Sequence, residues 1–372
     1  MFIKEFNANI VLQSMIDMKS SSDDIFLLLI AEFTEWNADE FIAMANEKDI
    51  RFFGGIFPAI ITSGGKYESG VIVKKFPAKI NPVLQVGLNV SDFKMINVDH
   101  IDVNSFDGKR TAIIMVDGLS SQIARLLEKL YMLFGDTVNY VGGGAGSLSF
   151  EQKPSVFCNK GIFQDAAIIV FVDSDTSLGV KHGWERVYGP LVATKTDRNV
   201  IQELNWDNPF NVYKSAILED SGKEINADNF FSIAKSYPFG ITKERSEYVV
   251  RDPLSVTNIG ELICVGEVVE NTILDVLRGE PDSLIKAAKQ AAKQAVEYGG
   301  KFSSALVIDC ISRALFLEEE FGKELEGVSS TLHENNCDLD IEGALSLGEI
   351  SSAGQGYLEF LNKTILISLF YE

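Results

Sequence analysis

The sequence predicts a mixed α/β (α+β) protein with two related domains, built from β-α-β-β units whose mixed sheets are covered by helices. The main observation is a strand–helix–strand pattern that occurs twice. Residues 25–30 lead through a helical stretch to Gly54, and residues 113–116 lead through another to Gly142. Both intervals, 54 − 25 and 142 − 113, equal 29 residues, which indicates an internal duplication.

Both predicted crossover helices have identifiable start signals. Asn37 precedes apolar residues at helical spacing and is a favoured N-cap residue. In the second unit, Ser120 or Ser121 is placed to cap a helix that carries an apolar stripe. That stripe consists of Ile123, Leu126, Leu127, Leu130 and Phe134.

A turn signal in the second unit predicts a hairpin. Apolar runs over 155–158 and 166–172 flank Asn159, Lys160 and Gly161, which are typical of a tight or bulged turn. Hairpins of this kind argue against purely parallel sheets.

The C-terminal part repeats the β-α-β-β pattern with looser spacing. A helix is predicted from Pro281, a favoured first helical position, to a stop at Gly299, and an apolar strand over 304–308 follows. Polar, turn-rich residues near 225–236 indicate a domain boundary. The predicted domains are residues 1–230, with duplicated units at about 23–76 and 111–173, and residues 231–372.

The composition indicates a folded protein and argues against two classes of partner. The 372 residues are 46% hydrophobic, enough for a large core, and carry a formal charge of −20. This negative field opposes binding to nucleic acid and to anionic membranes. No apolar stretch approaches the roughly 20 residues that span a bilayer, and no signal-peptide core is present. The 4 cysteines are scattered, so we expect a reducing cytoplasm and no structural metal.

Catalytic motifs are absent from the sequence. It contains no G-x-S-x-G elbow, no Walker loop and no H-E-x-x-H. Gly142, Gly143, Gly144 and Gly146 could offer backbone N–H groups to an anion, but they do not form the dinucleotide pattern. The alternative is close backbone packing at a strand end. We therefore predict no catalytic residue and no cofactor.

Residues 182–190 form the densest cluster of unusual side chains. Trp184 can supply an apolar wall, and Arg186 can hold a carboxylate in two hydrogen bonds. The alternative is that Trp184 belongs to the core and Arg186 is a solvated surface charge. Spacing alone leaves both interpretations open.

These segments and others, taken in order, resemble the signature of the FIST sensory-domain family, and the resemblance covers nearly the whole chain. The matching pieces are residues 117–119, 141–146, 183–190, Thr194, 199–201, Glu203, 209–213, 237–240, 250–251, Cys310, Arg313, 348–350 and 362–364. The resemblance implies a FIST N-terminal domain followed by a FIST C-terminal domain. It also implies an intracellular signal-transduction sensor for small ligands such as amino acids.

The resemblance implies how a signal would leave the protein. Family members are often fused to output domains such as kinases, whereas here the FIST module is expected to use the whole chain. The signal is therefore expected to pass to a separate partner, such as a histidine kinase of a two-component system. Closure of the N-terminal half on the C-terminal half is the simplest switch that a ligand could drive.

Ligand-binding residues are predicted within this signature. An amino-acid-like ligand needs cationic donors for its carboxylate and an acidic acceptor for its ammonium, in a shielded cleft. The candidate donors are Arg186, Arg251 and Arg313, the candidate acceptors are Glu203 and Glu349, the candidate walls are Trp184 and Tyr213, and Thr194 and Cys310 complete the set. The alternative for each charged residue is an ion pair between elements.

Two further interpretations remain open. Some proteins of the family are described as haem-binding gas sensors, and the imidazoles available here are His100, His182 and His333. An enzyme is the other alternative, because Cys310 follows an apolar strand and Arg313 could lower the pKa of its thiol. Strand-end cysteines are more often small buried apolar groups, so we expect a sensor that is not an enzyme.

Overall fold

The first repeated unit occupies the start of the chain in the computed structural model, which describes residues 1–95, 101, 110–242, 248–352 and 358–372. Its elements, with one strand and one helix before it, are β1 (Phe2–Ile3), α1 (Ala8–Met18), β2 (Asp24–Ala31), α2 (Ala38–Glu47), β3 (Phe52–Phe57), β4 (Ala59–Thr62), β5 (Gly65–Tyr67) and β6 (Val71–Pro77). Strands β2 and β3 are parallel, and β6 returns antiparallel to β2. Asn37 caps α2 as predicted, because its side chain accepts a hydrogen bond from the backbone N–H of Glu40 at 3.3 Å.

The second unit has the same order of elements. With the strand before it, they are β7 (Val83–Val86), β8 (Arg110–Asp117), α3 (Ile123–Phe134), β9 (Val138–Ala145), β10 (Val156–Cys158), β11 (Gly161–Phe163) and β12 (Ala166–Val172). The predicted apolar stripe of α3 is buried, but the predicted serine cap is wrong, because Gln122 is the N-cap and makes no side-chain hydrogen bond. The turn after Cys158 is present as predicted. However, β10 pairs with β11 rather than with β12, because β12 lies between β7 and β8.

A closed barrel follows the second unit. From the strand before it to the helix after it, the elements are β13 (Thr176–Lys181), β14 (Glu185–Asp197), β15 (Val200–Leu204), α4 (Pro209–Ser221), α5 (Phe230–Ala234), β16 (Phe239–Ile241), β17 (Val249–Val256), β18 (Leu262–Val265), β19 (Ile273–Arg278) and α6 (Pro281–Val296). The barrel closes in the order β14-β15-β18-β17-β16-β19. The sequence did not predict it, because β14 shifts register twice against β19 and its side chains do not alternate regularly.

The third unit completes the described fold. Its elements are β20 (Phe302–Cys310), α7 (Ile311–Leu317), a 3₁₀ turn (Glu318–Glu320), α8 (Phe321–Glu334), β21 (Ile341–Ser346), β22 (Glu349–Ser351), β23 (Glu359–Leu361) and β24 (Ile365–Tyr371). Strands β20 and β21 are parallel, and β24 is antiparallel to β20. Pro281 lies in the first turn of α6, as predicted. The mixed α/β class predicted from the sequence is confirmed.

The three units exchange hairpins in a cycle. The β4–β5 hairpin of the first unit pairs with β21 of the third, β10–β11 of the second pairs with β3 of the first, and β22–β23 of the third pairs with β9 of the second. The resulting six-stranded sheets have the orders β1-β6-β2-β3-β10-β11, β7-β12-β8-β9-β22-β23 and β13-β24-β20-β21-β4-β5. The units therefore cannot separate without breaking sheet hydrogen bonds.

The helices pack on the outer faces of these sheets. Buried faces of α1 and α2 cover the first sheet, α3 covers the second, and α6 and α8 cover the third. Across the described part of the chain, every helix is too short or too polar to cross a lipid bilayer.

Glycines let the parallel strands of each unit approach closely. Gly54, Gly142 and Gly343 occupy the matched position of each unit, opposite an apolar residue of the neighbouring strand. A Cβ atom at Gly142 would lie 1.9 Å from the carbonyl oxygen of Ile114. Gly142 in β9 therefore packs against backbone, which is the alternative considered from the sequence.

Gly142→Ala should lower the free energy of unfolding by about 3 kcal/mol or more, because the backbone must move to admit the methyl group. Gly322→Ala on α8 is the matched control, since a Cβ atom there meets nothing within 4 Å. Replacing a helical glycine by alanine should stabilise the protein by about 0.5–1 kcal/mol. Urea unfolding of both variants measures the difference, and equal stabilities would contradict the packing argument.

Candidate functional site

The third unit carries buried carboxyl groups where the other two units are apolar. When the three parallel strand pairs are aligned by register, Asp309 stands where Ile30 and Val116 stand in the other units. On the exchanged hairpins, Glu349 likewise stands where both other units have an aliphatic side chain. Both carboxyl groups are fully buried. Because burying carboxyl groups is costly, this difference between matched units makes Asp309 and Glu349 candidates for a functional site.

Glu349 lies at the junction between the second and third units. Its carboxyl group accepts hydrogen bonds from the Ser346 hydroxyl at 2.7 Å and from the backbone N–H of Thr364 at 3.2 Å. Burial raises the pKa of Glu349 to about 8, although hydrogen bonds from Ser346, Thr364 and the thiol of Cys310 act in the opposite direction. The group is therefore largely protonated at neutral pH.

Lys363 links the third unit to the barrel through a buried ion pair. Its ammonium lies 3.0 Å from Oδ2 of Asp252 on β17 and donates to the carbonyl oxygen of Lys235 at 2.9 Å. The same ammonium lies 4.5 Å from the ring centroid of Trp184, whose indole N–H donates to the carbonyl oxygen of Lys363 at 3.2 Å. Burial raises the pKa of Asp252, while Lys363 and the Ser312 hydroxyl oppose this shift.

The guanidinium of Arg313 interacts with acceptor groups of its own chain. Its guanidinium lies 2.7 Å from Oε2 of Glu324 and 3.3 Å from Oδ1 of Asp309, and all three side chains are fully buried. It also donates to the carbonyl oxygens of His182, Leu284 and Lys363. In the described conformation Arg313 therefore binds two carboxyl groups and three carbonyl groups of its own chain.

These buried, mutually contacting groups form a polar cluster around Trp184, Asp252, Asp309, Arg313, Glu324, Glu349 and Lys363. A cleft of about 320 Å³ lies beside this polar cluster. It is lined by the loop after β8 (residues 118–121), by the end of β18 and its turn (residues 264–267), by Arg198 and by Leu347 of the third unit. Ser120 in this loop is 7% exposed, and its hydroxyl has no hydrogen-bond partner among the described residues. Ser120, which the sequence offered as a helix cap, therefore lines a cleft instead.

Arg251 connects the cleft to the polar cluster. Its guanidinium donates to the carbonyl oxygens of Glu267 at 2.8 Å and of Phe360 at 3.4 Å. A Cβ atom at Gly266 would lie 3.1 Å from Nε of Arg251, so the guanidinium lies directly behind the cleft wall. Burial lowers the pKa of Arg251.

The polar cluster also contains hydrogen-bonding groups without a partner. Asn362 is 2% exposed, and neither atom of its amide has a hydrogen-bond partner among the described residues. The same holds for Oδ1 of Asp252. Such groups are uncommon in folded proteins and are usually satisfied by water or a ligand.

The predicted ligand-binding residues are distributed over two regions. Trp184, Cys310, Arg313 and Glu349 belong to the polar cluster, and Arg251 adjoins it. Three others are on barrel strands: Arg186 pairs with Asp275 at 2.8 Å, Thr194 accepts a hydrogen bond from the backbone N–H of Trp206, and Glu203 lies on β15 opposite Lys195. Tyr213 is on α4, and its hydroxyl donates to the carbonyl oxygen of Tyr237. The ligand roles of all these residues stay predictions.

Sequence reasoning missed several residues of the polar cluster. Asp252 and Lys363 are far apart in the chain, so no local pattern linked them. One signal was present, because Asp309 follows three apolar residues in the interior of a buried strand. A charged residue at such a position is rare unless it is paired.

The histidines predicted as haem ligands differ in environment. His182 is buried, and its Nδ1 accepts a hydrogen bond from the backbone N–H of Trp184 at 2.9 Å. His333 is 76% exposed near the end of α8, and His100 lies outside the described residues. In the described part of the chain, no group of three or more His, Cys, Asp or Glu residues is arranged to hold a metal ion.

The exchanged sheets, the barrel and the cleft together define an α/β protein of three interlocked units with a ligand-sized cleft between them. The model of the FIST N domain matches residues 24–207, and the model of the FIST C domain matches residues 209–352. The chain therefore belongs to the FIST family, whose domains are associated with sensory roles in signal transduction. No curated protein matches it. The two family models meet between residues 207 and 209, and the boundary near residue 230 stays a prediction.

Glu349→Gln should change the pH dependence of stability. The folded-state pKa of about 8 lies above the ordinary value of 4.5, so the stability that this group contributes is complete below pH 4.5 and is lost as the pH rises through about 8. Across this window the wild type should lose stability relative to the variant, at up to about 1 kcal/mol per pH unit. Urea unfolding of both proteins at a series of pH values tests this. Parallel stability curves would contradict it.

Arg313→Ala should lower the free energy of unfolding by about 3–5 kcal/mol, because it leaves Asp309 and Glu324 buried without their cation. Lys323→Ala is the control, since Lys323 is 66% exposed and pairs with Glu320 on the surface. Its effect should stay below about 1 kcal/mol. Chemical unfolding distinguishes the two, and a small effect for Arg313→Ala would show that the buried ion pairs are dispensable.

Proposed function

We propose that this protein is a sensor that binds a small ligand, an amino acid or a related metabolite, in the cleft between residues 118–121 and 264–267. The observation that carries the proposal is the unpartnered, buried hydroxyl of Ser120 at a cleft of about 320 Å³. Cavities of this order hold small ligands. A buried hydroxyl without a partner loses stability that a ligand could restore.

The chemistry of the cleft lining supports an amino-acid-like ligand. Arg198 can hold a carboxylate, and Glu267 and the hydroxyl of Ser120 can accept hydrogen bonds from an ammonium. Leu119 and Leu347 supply apolar contact for a side chain. Both signs of charge and an apolar wall thus border one space.

We further propose that the bound ligand acts on the polar cluster behind the cleft. Leu347 lines the cleft, and in the sequence it lies between two cluster residues, Ser346 and Glu349. Arg251 donates a hydrogen bond to the backbone of Glu267, which also lines the cleft. Closure of whole domains, the switch expected from the sequence, would break the exchanged sheet pairs, so a local rearrangement is favoured. The signal would pass to a separate protein, such as a histidine kinase, in the cytoplasm. The free and buried state of all four cysteines supports a reducing compartment.

An enzymatic role for Cys310 is not part of the proposal. Burial is the main cause that raises the pKa of the Cys310 thiol well above its usual range. A catalytic thiolate requires a lowered pKa. Slow alkylation of Cys310 at neutral pH is therefore expected, and rapid alkylation would favour the enzyme.

The thermal unfolding midpoint should rise in the presence of one amino acid or one related class of metabolite, because a ligand that binds only the folded state stabilises it. A panel of free amino acids tests this on the purified protein. Ser120→Ala and Arg198→Ala should each weaken the binding by about 10-fold. Arg186→Ala is the comparison variant: if it alone weakened binding, the ligand would bind at the barrel edge. If no compound shifted the midpoint, the amino-acid assignment would fail.

A further inference from the structure

A second cavity, of about 260 Å³, lies between the first and second units. Its lining combines the chain after β2 and β8 with the end of β3 and the loop over residues 146–155 that follows β9. Leu119 lines both this cavity and the cleft of the proposed sensor site. The two spaces are thus neighbours, but their other lining residues differ.

Negative charge predominates in this second cavity. Three carboxylates, those of Glu32, Asp117 and Glu151, face a single ammonium, that of Lys153. Lys153 is 60% exposed and pairs with Glu151 at 2.8 Å. Glu32 and Asp117 form no ion pair with any residue in the described ranges. Lys153 is also attracted electrostatically to Glu32, but the cavity still has two more carboxylates than ammonium groups.

These two carboxylates are held in place by hydrogen bonds. Glu32 accepts hydrogen bonds from the Ser147 hydroxyl and, at 3.1 Å, from the backbone N–H of Leu148. Asp117 is 1% exposed and accepts from the side-chain amide of Gln152 at 2.8 Å. These contacts fix the positions of the carboxylates and come from neutral donors.

Ser155 provides an independent sign of a ligand. It lines the cavity, is 4% exposed, and its hydroxyl has no hydrogen-bond partner among the described residues. Its backbone N–H donates to the carbonyl oxygen of Phe163 at 2.9 Å, and its carbonyl oxygen accepts from Ile56 at 2.8 Å. The backbone is therefore fixed, and only the side chain lacks a partner. Such a group is costly to bury unless something else supplies the hydrogen bond.

We propose that this cavity binds a small organic cation, a short aliphatic amine. The ammonium would donate hydrogen bonds to Glu32 and to the hydroxyl of Ser155, and the charge of Asp117 would add to the attraction. Ile56 and Leu119 provide apolar contact for the alkyl chain. Since no group of three metal-ligating residues occurs in the described part of the chain, an organic cation fits better than a metal ion. The net charge of −20 also raises the local concentration of cations.

Isothermal titration with 1,4-diaminobutane at constant ionic strength tests the proposal on the full chain. The wild type should show saturable binding, and 1-butanol, which has the same apolar part but no charge, should show none. Glu32→Gln should weaken amine binding by about 10-fold or more, and Ser155→Ala by about 3- to 10-fold. Ser155→Ala removes only an unpartnered atom, so the variant should fold even if Glu32→Gln does not.

The control variant is Glu267→Gln, which changes a carboxylate of the neighbouring cleft and should leave amine binding unchanged. The proposal is overturned if the wild type binds no amine at millimolar concentrations, or if 1-butanol binds as well as the diamine. It is equally overturned if Glu267→Gln, rather than Glu32→Gln and Ser155→Ala, abolishes binding. None of these outcomes depends on an amino acid binding in the cleft.

Discussion

The exchange of hairpins among the three units is the constraint on which the rest of the structure depends. Each sheet is completed only by strands from another unit, so the units share backbone hydrogen bonds as well as side-chain contacts. The exchange also delivers Glu349, on the hairpin of the third unit, to the edge of β9 opposite Gly143. The polar cluster and the cleft exist because strands of different units meet there. The cleft and the second cavity are each lined by residues of more than one unit.

The buried ion pairs of the third unit each link two specific structural elements. Lys363 reaches Asp252 in the barrel, and Arg313 holds Glu324 of α8. Such pairs contribute little net stability relative to apolar packing, but removing one partner is costly. The Lys363–Asp252 pair therefore joins the barrel to the third unit, whereas the Arg313–Glu324 pair joins α7 to α8 within that unit. A ligand that altered one of these pairs would change this geometry without opening a sheet.

The sequence predicted the parts of the fold that local periodicity determines. Strand β8 contains a continuous apolar run over residues 112–116, and the stripe on α3 repeats at helical spacing, so both were recognisable. The exchange of hairpins was not predictable, because residues such as Ile61 and Gly343 carry no local mark of their pairing. Within the polar cluster, Glu349 was named from the family signature and its ligand-binding role stays a prediction. The contact between Asp252 and Lys363 was not predictable, because it joins residues that are 363 − 252 = 111 positions apart. Ser120 was identified, but it was assigned to a helix cap.

The β4–β5 hairpin also sets an order of events during synthesis on the ribosome. Ile61 pairs with Gly343, and the separation, 343 − 61, is 282 residues. The ribosome therefore synthesises the hairpin early, and most of the remaining chain must be synthesised before the strand that pairs with it is present. Until then it exposes an apolar strand edge, the kind of surface that promotes aggregation. We expect the nascent chain to keep this hairpin shielded, because two of the three sheets contain strands that follow residue 340 and are completed only near the end of translation.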